Sequence, residues 1–345
     1  MTTDKILYAF YDEAVSPTSF DFISFVIQSE SARRTAGLDG IQFFIVPSGE
    51  FGGHHDNDQF DEAHARWRLS NVIVPMRWLL PTCRGANVCS TRQYAAESFK
   101  HSSENIFPRG YTVETPIDRH HTGWTVISAT LGENIYFVRA ADQAKEYARQ
   151  WIEQHAGGKK CIPITLRESP FGTQRNSDPA VWSALAHQML KDGYYPVLIR
   201  DIDRALEKLP PEYEGIPTFP AAAFNLELRI AFYEESHLCM FVANGPAQIC
   251  FYDREVNFIY QVTGDWLERN PTPFLRIGID HGESGPFANK FKRWIWQEQD
   301  AKRLYQEMLK LDADIDSSIA AGTYEADLEP DPANRISISD LADRF

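Results

Sequence analysis

The segment from Lys160 to Asp203 constrains the fold of this chain more than any other stretch of its sequence. The apolar run from Cys161 to Leu166 predicts a buried strand, and a polar loop follows it. Residues 179–191 have the apolar spacing of a helix, and Tyr195 to Ile199 predict a second strand. Strand, loop, helix and strand in this order indicate a parallel sheet with helices on both faces.

The N-terminal region predicts a second unit of the same kind. Apolar runs at Ile6 to Phe10 and at Ile41 to Val46 predict two strands, with a helix from about Thr18 to Arg34 between them. A chain of 345 residues is long enough for two domains of ~150 residues each. The sequence therefore predicts an α/β protein built from two Rossmann-like lobes.

The lobes are predicted to span residues 1–138 and 139–288. Residues 289–311 carry apolar side chains at helical spacing and predict one long helix after the second lobe. Residues 312–345 are rich in acidic and poor in basic side chains, and they predict a mobile or loosely docked tail.

The charge balance restricts the classes of partner. The chain has 34 basic and 48 acidic residues and a formal net charge of -14. This charge repels phosphate backbones and anionic membrane surfaces, so we expect no nucleic-acid partner. No uncharged run approaches the ~20 apolar residues of a membrane span, and we expect no integral membrane segment.

The cysteines and the first residues favour a cytoplasmic location. The five cysteines form no CxxC pair, and several lie in apolar runs. That pattern is typical of buried free thiols in a reducing compartment, rather than of a zinc site or disulfide framework. The N-terminal residues enter a predicted strand at once and lack the apolar core of a signal peptide.

The first candidate binding residues follow the strand at Cys161 to Leu166. Arg167 comes directly after it, and Arg175 and Asn176 lie in the same polar loop before a helix. Ligands bind outside the carboxyl ends of strands in doubly wound sheets, and guanidinium groups beside a helix start suit a diphosphate. The alternative is structural, with Arg167 paired to Glu168 or to a neighbouring aspartate.

Three further candidates lie along the second lobe. Asp201 follows the next strand and could accept a hydrogen bond from a sugar hydroxyl, or it could be a turn residue. Asn225 and Arg229 are spaced i,i+4 on one helical face, which suits either a ligand or the structure itself.

The third strand of this lobe ends in a turn with a recognisable composition. Asn244, Gly245 and Pro246 come between an apolar strand and a short helix. Glycine lets backbone approach a ligand closely, and proline favours the first turn of a helix. The same turn also occurs for purely structural reasons.

Candidate general bases come from the first lobe. His54, His55 and Asp56 form a polar cluster in one loop, and histidine and aspartate are common bases near pH 7. Solvated loop residues are the alternative, and their spacing matches no recognised metal site. The first β-α loop, Asp12 to Ser19, offers hydroxyl groups for an acceptor or phosphate contact, or for helix capping.

Several common catalytic motifs are absent from the sequence. It contains no GxxxxGK[ST], GxGxxG, GxSxG or HExxH. This excludes the usual P-loop hydrolase, dinucleotide-dependent dehydrogenase, serine hydrolase and zinc protease interpretations.

Two segments resemble the GT-B class of glycosyltransferases. Residues 161–167 are similar to the donor-side entry of that fold, and residues 235–246 are similar to the turn that meets the sugar nucleotide. The resemblance implies a nucleoside-diphosphate sugar held by the second lobe, with Arg167, Arg175 and N–H groups near Gly245 against the diphosphate. It also implies no catalytic metal and no other cofactor, and an acceptor base from the first lobe.

The leading functional hypothesis is therefore sugar transfer from a nucleotide donor to an acceptor. One alternative is a GT-B-like sugar-nucleotide epimerase, which converts the donor without an acceptor. Another is a non-catalytic module that binds a sugar nucleotide or a protein.

Overall fold

The structure is a computed structural model that describes residues 5–49, 61–101, 105–118, 121–268, 274 and 277–334. The chain divides into two units, and we consider each by itself. Unit 1 comprises Met1–Ser128 and Gly132–Arg139, and unit 2 comprises Ala129–Leu131 and Ala140–Phe345.

Up to Arg139, strands and helices alternate along the described chain. They are β1 (Ile6–Asp12), α1 (Phe22–Thr35), β2 (Gly40–Val46), α2 (Glu62–Arg68), α3 (Val74–Met76), β3 (Cys83–Val88), α4 (Arg92–His101), β4 (Ile106–Phe107) and α5 (His121–Thr130). The four strands form one parallel sheet in the order β3-β2-β1-β4.

Aromatic side chains fill both faces of the sheet in unit 1. Phe10 of β1 stacks on Phe44 with ring centroids 4.7 Å apart, and the next residue, Tyr11, meets Phe22 at 4.7 Å. Consecutive residues of a strand point to opposite faces, so β1 contributes to two apolar layers. This explains why the strand reads as a continuous apolar run, as expected for a parallel sheet covered on both sides.

Unit 2 has the same alternation over a longer stretch. Its elements are α6 (Asp142–Ala156), β5 (Cys161–Thr165), α7 (Pro179–Lys191), β6 (Tyr195–Ile199), α8 (Ala221–Phe224), α9 (Leu226–Glu234), β7 (Cys239–Val242), α10 (Gly245–Cys250), β8 (Phe258–Val262), α11 (Asp265–Glu268), β9 (Lys292–Trp296), α12 (Ala301–Ala321) and α13 (Tyr324–Asp327). The strands form a five-stranded parallel sheet in the order β6-β5-β7-β8-β9. The predicted α/β class with two parallel sheets is confirmed.

The predicted single helix over residues 289–311 is wrong. Residues 292–296 form the edge strand β9, paired in parallel with β8, and the helix begins only at Ala301. A five-residue run with two tryptophans suits a strand, and periodicity alone does not separate short apolar strands from helices. The helix start is marked instead by Asp300, whose side chain accepts a hydrogen bond from the Arg303 N–H.

The predicted mobile tail is also wrong for residues 312–334. Helix α12 continues to Ala321, and Leu328 beyond it is buried in the core of unit 2. Residues 335–345 lie outside the described part of the chain. The acidic composition misled the prediction because two of the acidic residues, Asp312 and Asp316, form ion pairs with Lys160 instead of facing only solvent.

Asp312 binds three side chains that precede three different strands. Its carboxylate accepts hydrogen bonds from Lys160 (2.5 Å), Tyr194 (2.6 Å) and His237 (2.6 Å). These residues lie just before β5, β6 and β7, so one carboxylate joins α12 to the amino edge of the sheet. Leu304, Met308 and Leu311 of the same helix pack into the core with Trp182 of α7 and other residues.

We expect Asp312→Ala to destabilise unit 2 by roughly 3 kcal/mol, because three hydrogen bonds, two of them to side chains that can carry a positive charge, are lost together. Glu307→Ala on the same helix is the control. Glu307 makes an exposed pair with Lys310, and its loss should cost less than about 0.5 kcal/mol. Urea unfolding of both variants measures the difference, and equal small effects would show that α12 does not depend on Asp312.

Candidate functional site

The strand order of unit 2 defines where a ligand is expected. The chain passes from β5 to β6 on one side and later returns to β7 on the other side of β5. In open α/β sheets, ligands bind outside the carboxyl ends of the strands at such a reversal. The segments concerned are residues 166–178, which we call the β5 loop, and residues 243–246, which we call the β7 turn.

Arg167 organises the β5 loop from within. Its buried guanidinium donates to the carbonyl oxygens of Gly172 (2.9 Å) and Phe171 (2.5 Å), and to Oδ1 of Asn176. Asn176 Nδ2 in turn donates to the carbonyl oxygen of Ser169 at 2.8 Å. Two predicted ligand residues therefore bind each other and fix the shape of the loop, and their contact with a ligand stays a prediction.

Asp201 lies at the carboxyl end of β6 beside the same loop. Its Oδ2 accepts a hydrogen bond from the backbone N–H of Glu168 at 2.6 Å. Burial raises the pKa of Asp201 above its usual value, while that hydrogen bond and the charges of Arg229 and Arg167 act against the rise. The side chain of Glu168 is paired with Arg200 at 2.6 Å.

Asn225 and Arg229 both have local partners, in α9 and in α8 respectively. Asn225 caps the helix, with its Oδ1 accepting from the Leu228 N–H at 2.9 Å. The buried Arg229 donates from Nε to the carbonyl oxygen of Ala222 at 2.6 Å. The charge of Arg229 partly offsets the rise in the pKa of Asp201 that burial causes, and Asn225 lies at a helix end.

The β7 turn has the conformation that its sequence predicts. Asn244 is the N-cap of α10, and its Oδ1 accepts from the Ala247 N–H at 3.0 Å. Gly245 and Pro246 are the first two residues of that helix. The turn leaves β7 at the strand reversal, where backbone N–H groups suit an anion.

Arg175 links the β5 loop to the segment after β8. Its guanidinium carbon lies 4.1 Å from the ring centroid of Trp266 in α11. Close by, a Cβ at Gly264 would lie 2.1 Å from the carbonyl oxygen of Gln174, and Gly264 has a φ of +64°. Only glycine fits there, because both the backbone angle and the approach of the β5 loop exclude a side chain.

Gln299 fixes the other end of the β5 loop. Its Oε1 accepts from the Asp178 N–H (2.9 Å) and from Nε1 of Trp182 (2.6 Å), and its Nε2 donates to the carbonyl oxygen of Asn176 (2.7 Å). The β5 loop is therefore held against the segments that follow β8 and β9.

The order in which the chain adds strands to the sheet of unit 1 reverses at β1, which has β2 on one side and β4 on the other. Arg92 makes a two-pronged ion pair with Asp12 at the end of β1, at 2.7 and 2.9 Å. The same guanidinium donates to the carbonyl oxygens of Pro47 and Val113, and Tyr111 donates to Asp12 at 2.8 Å. These bonds tie together the segments that follow β1, β2 and β4.

Glu13 is a functional candidate that our sequence interpretation did not single out. Its N–H donates to the carbonyl oxygen of Val46, and its Oε1 accepts from the Thr18 hydroxyl at 3.0 Å. Burial raises the pKa of Glu13 from 4.5 to about 7, with the Thr18 hydrogen bond opposing the rise and the charge of Asp12 adding to it. A carboxyl group that titrates near neutral pH is suited to general acid–base chemistry.

The sequence shows only two adjacent carboxylates, Asp12 and Glu13, at the end of the first strand, and it does not indicate which of them pairs with an arginine. The predicted bases His54, His55 and Asp56 lie outside the described residues and stay predictions.

One group of side chains in the described residues has the spacing of metal ligands. Atoms of His237, Asp312 and Asp316 lie within 4.8 Å of one another. Lys160 Nζ already bonds both carboxylates, at 2.5 and 2.6 Å, and supplies the positive charge there. The group lies at the amino edge of the sheet, away from the β5 loop and the β7 turn.

Comparison with solved structures finds several that align over most of this chain. The structure of a glycosyl transferase family 9 protein from Veillonella parvula aligns with a TM-score of 0.55 at 13% identity, over 94% of this chain and 99% of that chain. The ADP-heptose lps heptosyltransferase II of E. coli aligns with a TM-score of 0.42 at 10% identity, over 90% and 99%. The E. coli heptosyltransferase WaaC with ADP-2-deoxy-2-fluoro heptose gives 0.43 at 12% identity, over 88% and 99%.

The Veillonella parvula alignment is the one that bears on the fold, and it confirms the predicted GT-B resemblance at that level. No protein-family model and no curated protein sequence matches the chain. Among the described residues, no helix has both the length and the apolar character needed to cross a bilayer.

We expect Gly264→Ala to destabilise unit 2 by more than the ~1–2 kcal/mol that a left-handed backbone costs an alanine. The excess arises because the new methyl group meets the backbone of Gln174. Gly158→Ala is the matched control, since Gly158 has a φ of +79° with no atom within 4 Å of the added Cβ. Urea unfolding compares the two variants, and equal losses would exclude a contribution from the close approach.

We expect Glu13→Gln to change the pH dependence of stability. Because the pKa of Glu13 is raised in the folded state, its favourable contribution is complete below about pH 4.5 and is lost as pH rises through 7. The loss amounts to at most roughly 3 kcal/mol, at about 1.4 kcal/mol per pKa unit. Unfolding between pH 4 and 8 should therefore show a flatter profile for Glu13→Gln, whereas exposed Glu62→Gln should follow wild type. Parallel profiles for all three proteins would contradict the raised pKa.

Proposed function

We propose that this protein is a glycosyltransferase that transfers a sugar from a nucleoside-diphosphate donor, bound by unit 2, to an acceptor hydroxyl activated by Glu13 of unit 1. The GT-B-type fold supports the reaction class. The observation that carries the proposal is the carboxyl group of Glu13, which follows β1, where the strand order reverses, and has a pKa raised to about 7.

The base function follows from the chemistry of sugar transfer. An acceptor hydroxyl becomes a better nucleophile when a carboxylate takes its proton in the transition state. A base works best when its pKa lies near the working pH, and Glu13 meets that condition while its neighbour Asp12 is committed to Arg92. Thr18, which bonds Glu13, restricts the rotation of the carboxyl group.

The donor function rests on the carboxyl edge of unit 2. The β7 turn begins a helix at the strand reversal, where the N–H of Gly245 would face the leaving diphosphate. Arg175 is the predicted cation for that group, and its stacking on Trp266 holds the guanidinium at the same edge. Arg167 would act indirectly, by shaping the β5 loop. We propose that these groups stabilise the charge without a catalytic metal.

Incubation with labelled nucleotide sugars tests the proposal directly. Transfer to an added acceptor or hydrolysis of the donor supports a transferase. Isomerised donor supports the epimerase alternative, and binding without turnover supports a non-catalytic module. Addition of EDTA in the same assay separates metal-independent from metal-dependent transfer.

We expect Glu13→Gln to lower kcat by about 10²- to 10⁴-fold, because the proton acceptor is lost while the shape of the side chain is kept. Wild-type kcat/KM should rise as pH increases through about 7 and then level off, since the ionised carboxylate is the active form. Donor affinity, measured by calorimetry, should stay the same in the variant.

His54→Ala, His55→Ala and Asp56→Asn are the matched comparison for Glu13→Gln. They remove the bases that the sequence predicts, and each should retain most of the activity if Glu13 is the base. A loss of 10²-fold or more in one of these three, with full activity in Glu13→Gln, would transfer the role to the loop of residues 54–56.

A further inference from the structure

Three carboxamide side chains lie side by side at the carboxyl ends of β7, β8 and β9. Gln261 of β8 pairs in register with Val242 of β7 and with Ile295 of β9. Asn244 and Gln297 each come two residues after those partners, so the alternation of side chains places them on the same face of the sheet as Gln261. We call these three residues the carboxamide group.

The members of the carboxamide group are within reach of one another. Gln261 Nε2 donates to the carbonyl oxygen of Gln297 at 3.3 Å, which brings two of them into contact. The N–H of Ala243 donates to the carbonyl oxygen of Gln261 at 2.9 Å, so the chain stays paired with β8 up to the residue before Asn244. Diagonal neighbours on adjacent strands are about 7–8 Å apart, a distance that long side chains span.

Each member presents a buried amide atom that has no hydrogen-bond partner among the described residues. These atoms are Nδ2 of Asn244, Oε1 of Gln261 and Nε2 of Gln297. Gln261 is fully buried, with a relative exposure of 0%. A buried polar atom left without a partner is costly, and three at one edge of a sheet indicate a shared function.

The chemistry of the three atoms selects an uncharged ligand. Two of them are donors and one is an acceptor, and none carries charge. A phosphate group offers only acceptors to such a set, so its oxygens would be repelled by Oε1 of Gln261. A sugar hydroxyl both donates and accepts, and neighbouring hydroxyls of one ring match a row of alternating amide atoms.

We propose that the carboxamide group is the subsite for the glycosyl moiety of the donor, with Oε1 of Gln261 accepting from one sugar hydroxyl and the amides of Asn244 and Gln297 donating to others. This inference rests on the proposed function of unit 2. Asn244 also caps α10, the helix that the proposed function assigns to the diphosphate, so one residue would connect the subsite for the sugar to that for the leaving group.

The test compares each nucleoside diphosphate with its sugar conjugate on the full chain. Calorimetry measures the affinity for ADP, UDP, GDP and CDP and for ADP-glucose, UDP-glucose, GDP-mannose and CDP-glucose. Wild-type protein should bind at least one conjugate about 10-fold more tightly than the matching diphosphate. Gln261→Leu and Gln297→Ala should remove most of that difference and leave the affinity for the diphosphate within about 2-fold.

Gln150→Leu, on the exposed side of α6, is the matched control and should behave as wild type. Gln297→Ala leaves the fully buried Gln261 unchanged, so this variant tests the subsite even if Gln261→Leu does not fold. Equal loss of both ligands, or no loss of either, overturns the subsite and leaves the donor function of unit 2 standing. Equal affinity of wild type for conjugates and diphosphates likewise overturns the subsite, as expected if the amides hold only water. Failure of every nucleotide to bind overturns the proposed function together with this inference.

Discussion

The ion pair between Asp12 and Arg92 determines how the carboxyl edge of unit 1 is organised. The strands of a parallel sheet all end at the same edge, so the segments that follow them lie near one another there. Arg92 joins three of these segments through one planar group, with the carboxylate of Asp12 as its charged partner. Asp12 is bound to Arg92 in this way, whereas burial raises the pKa of the adjacent Glu13.

In unit 2 a different arginine, Arg167, orders a segment at the carboxyl edge of the sheet. The guanidinium of Arg167 binds the carbonyl oxygens of its own loop, and Gln299 attaches that loop to the segment after β9. In both units an arginine beside a strand end therefore shapes the place where a ligand is expected. The positive charge that the sequence suggests for ligand binding orders backbone carbonyl groups in the structure.

The sequence predicts the strands that lie inside each sheet, because Cys161 to Leu166 and Ile41 to Val46 are apolar at all but one position each. The sequence-based prediction fails at the edge strand β9. Its five residues fit the apolar spacing of a helix as well as that of a strand, and only the pairing with β8 shows that they form a strand. The sequence places Arg167 at a strand end correctly but does not encode which way the guanidinium turns, since its partner Asn176 lies nine residues later. Glu13 is missed for a related reason: its pKa depends on burial in the folded protein, which no local pattern records.

The bond between Lys160 and Asp312 has a consequence for the order in which the protein is made. The two residues are separated by 152 positions, and the helix that carries Asp312 completes the core beneath β5. All of unit 1 precedes Ala140, so it can fold on the ribosome while unit 2 is still being translated. The core of unit 2 is complete only after α12 has been translated, and until then the apolar face of its sheet that packs against α12 stays exposed.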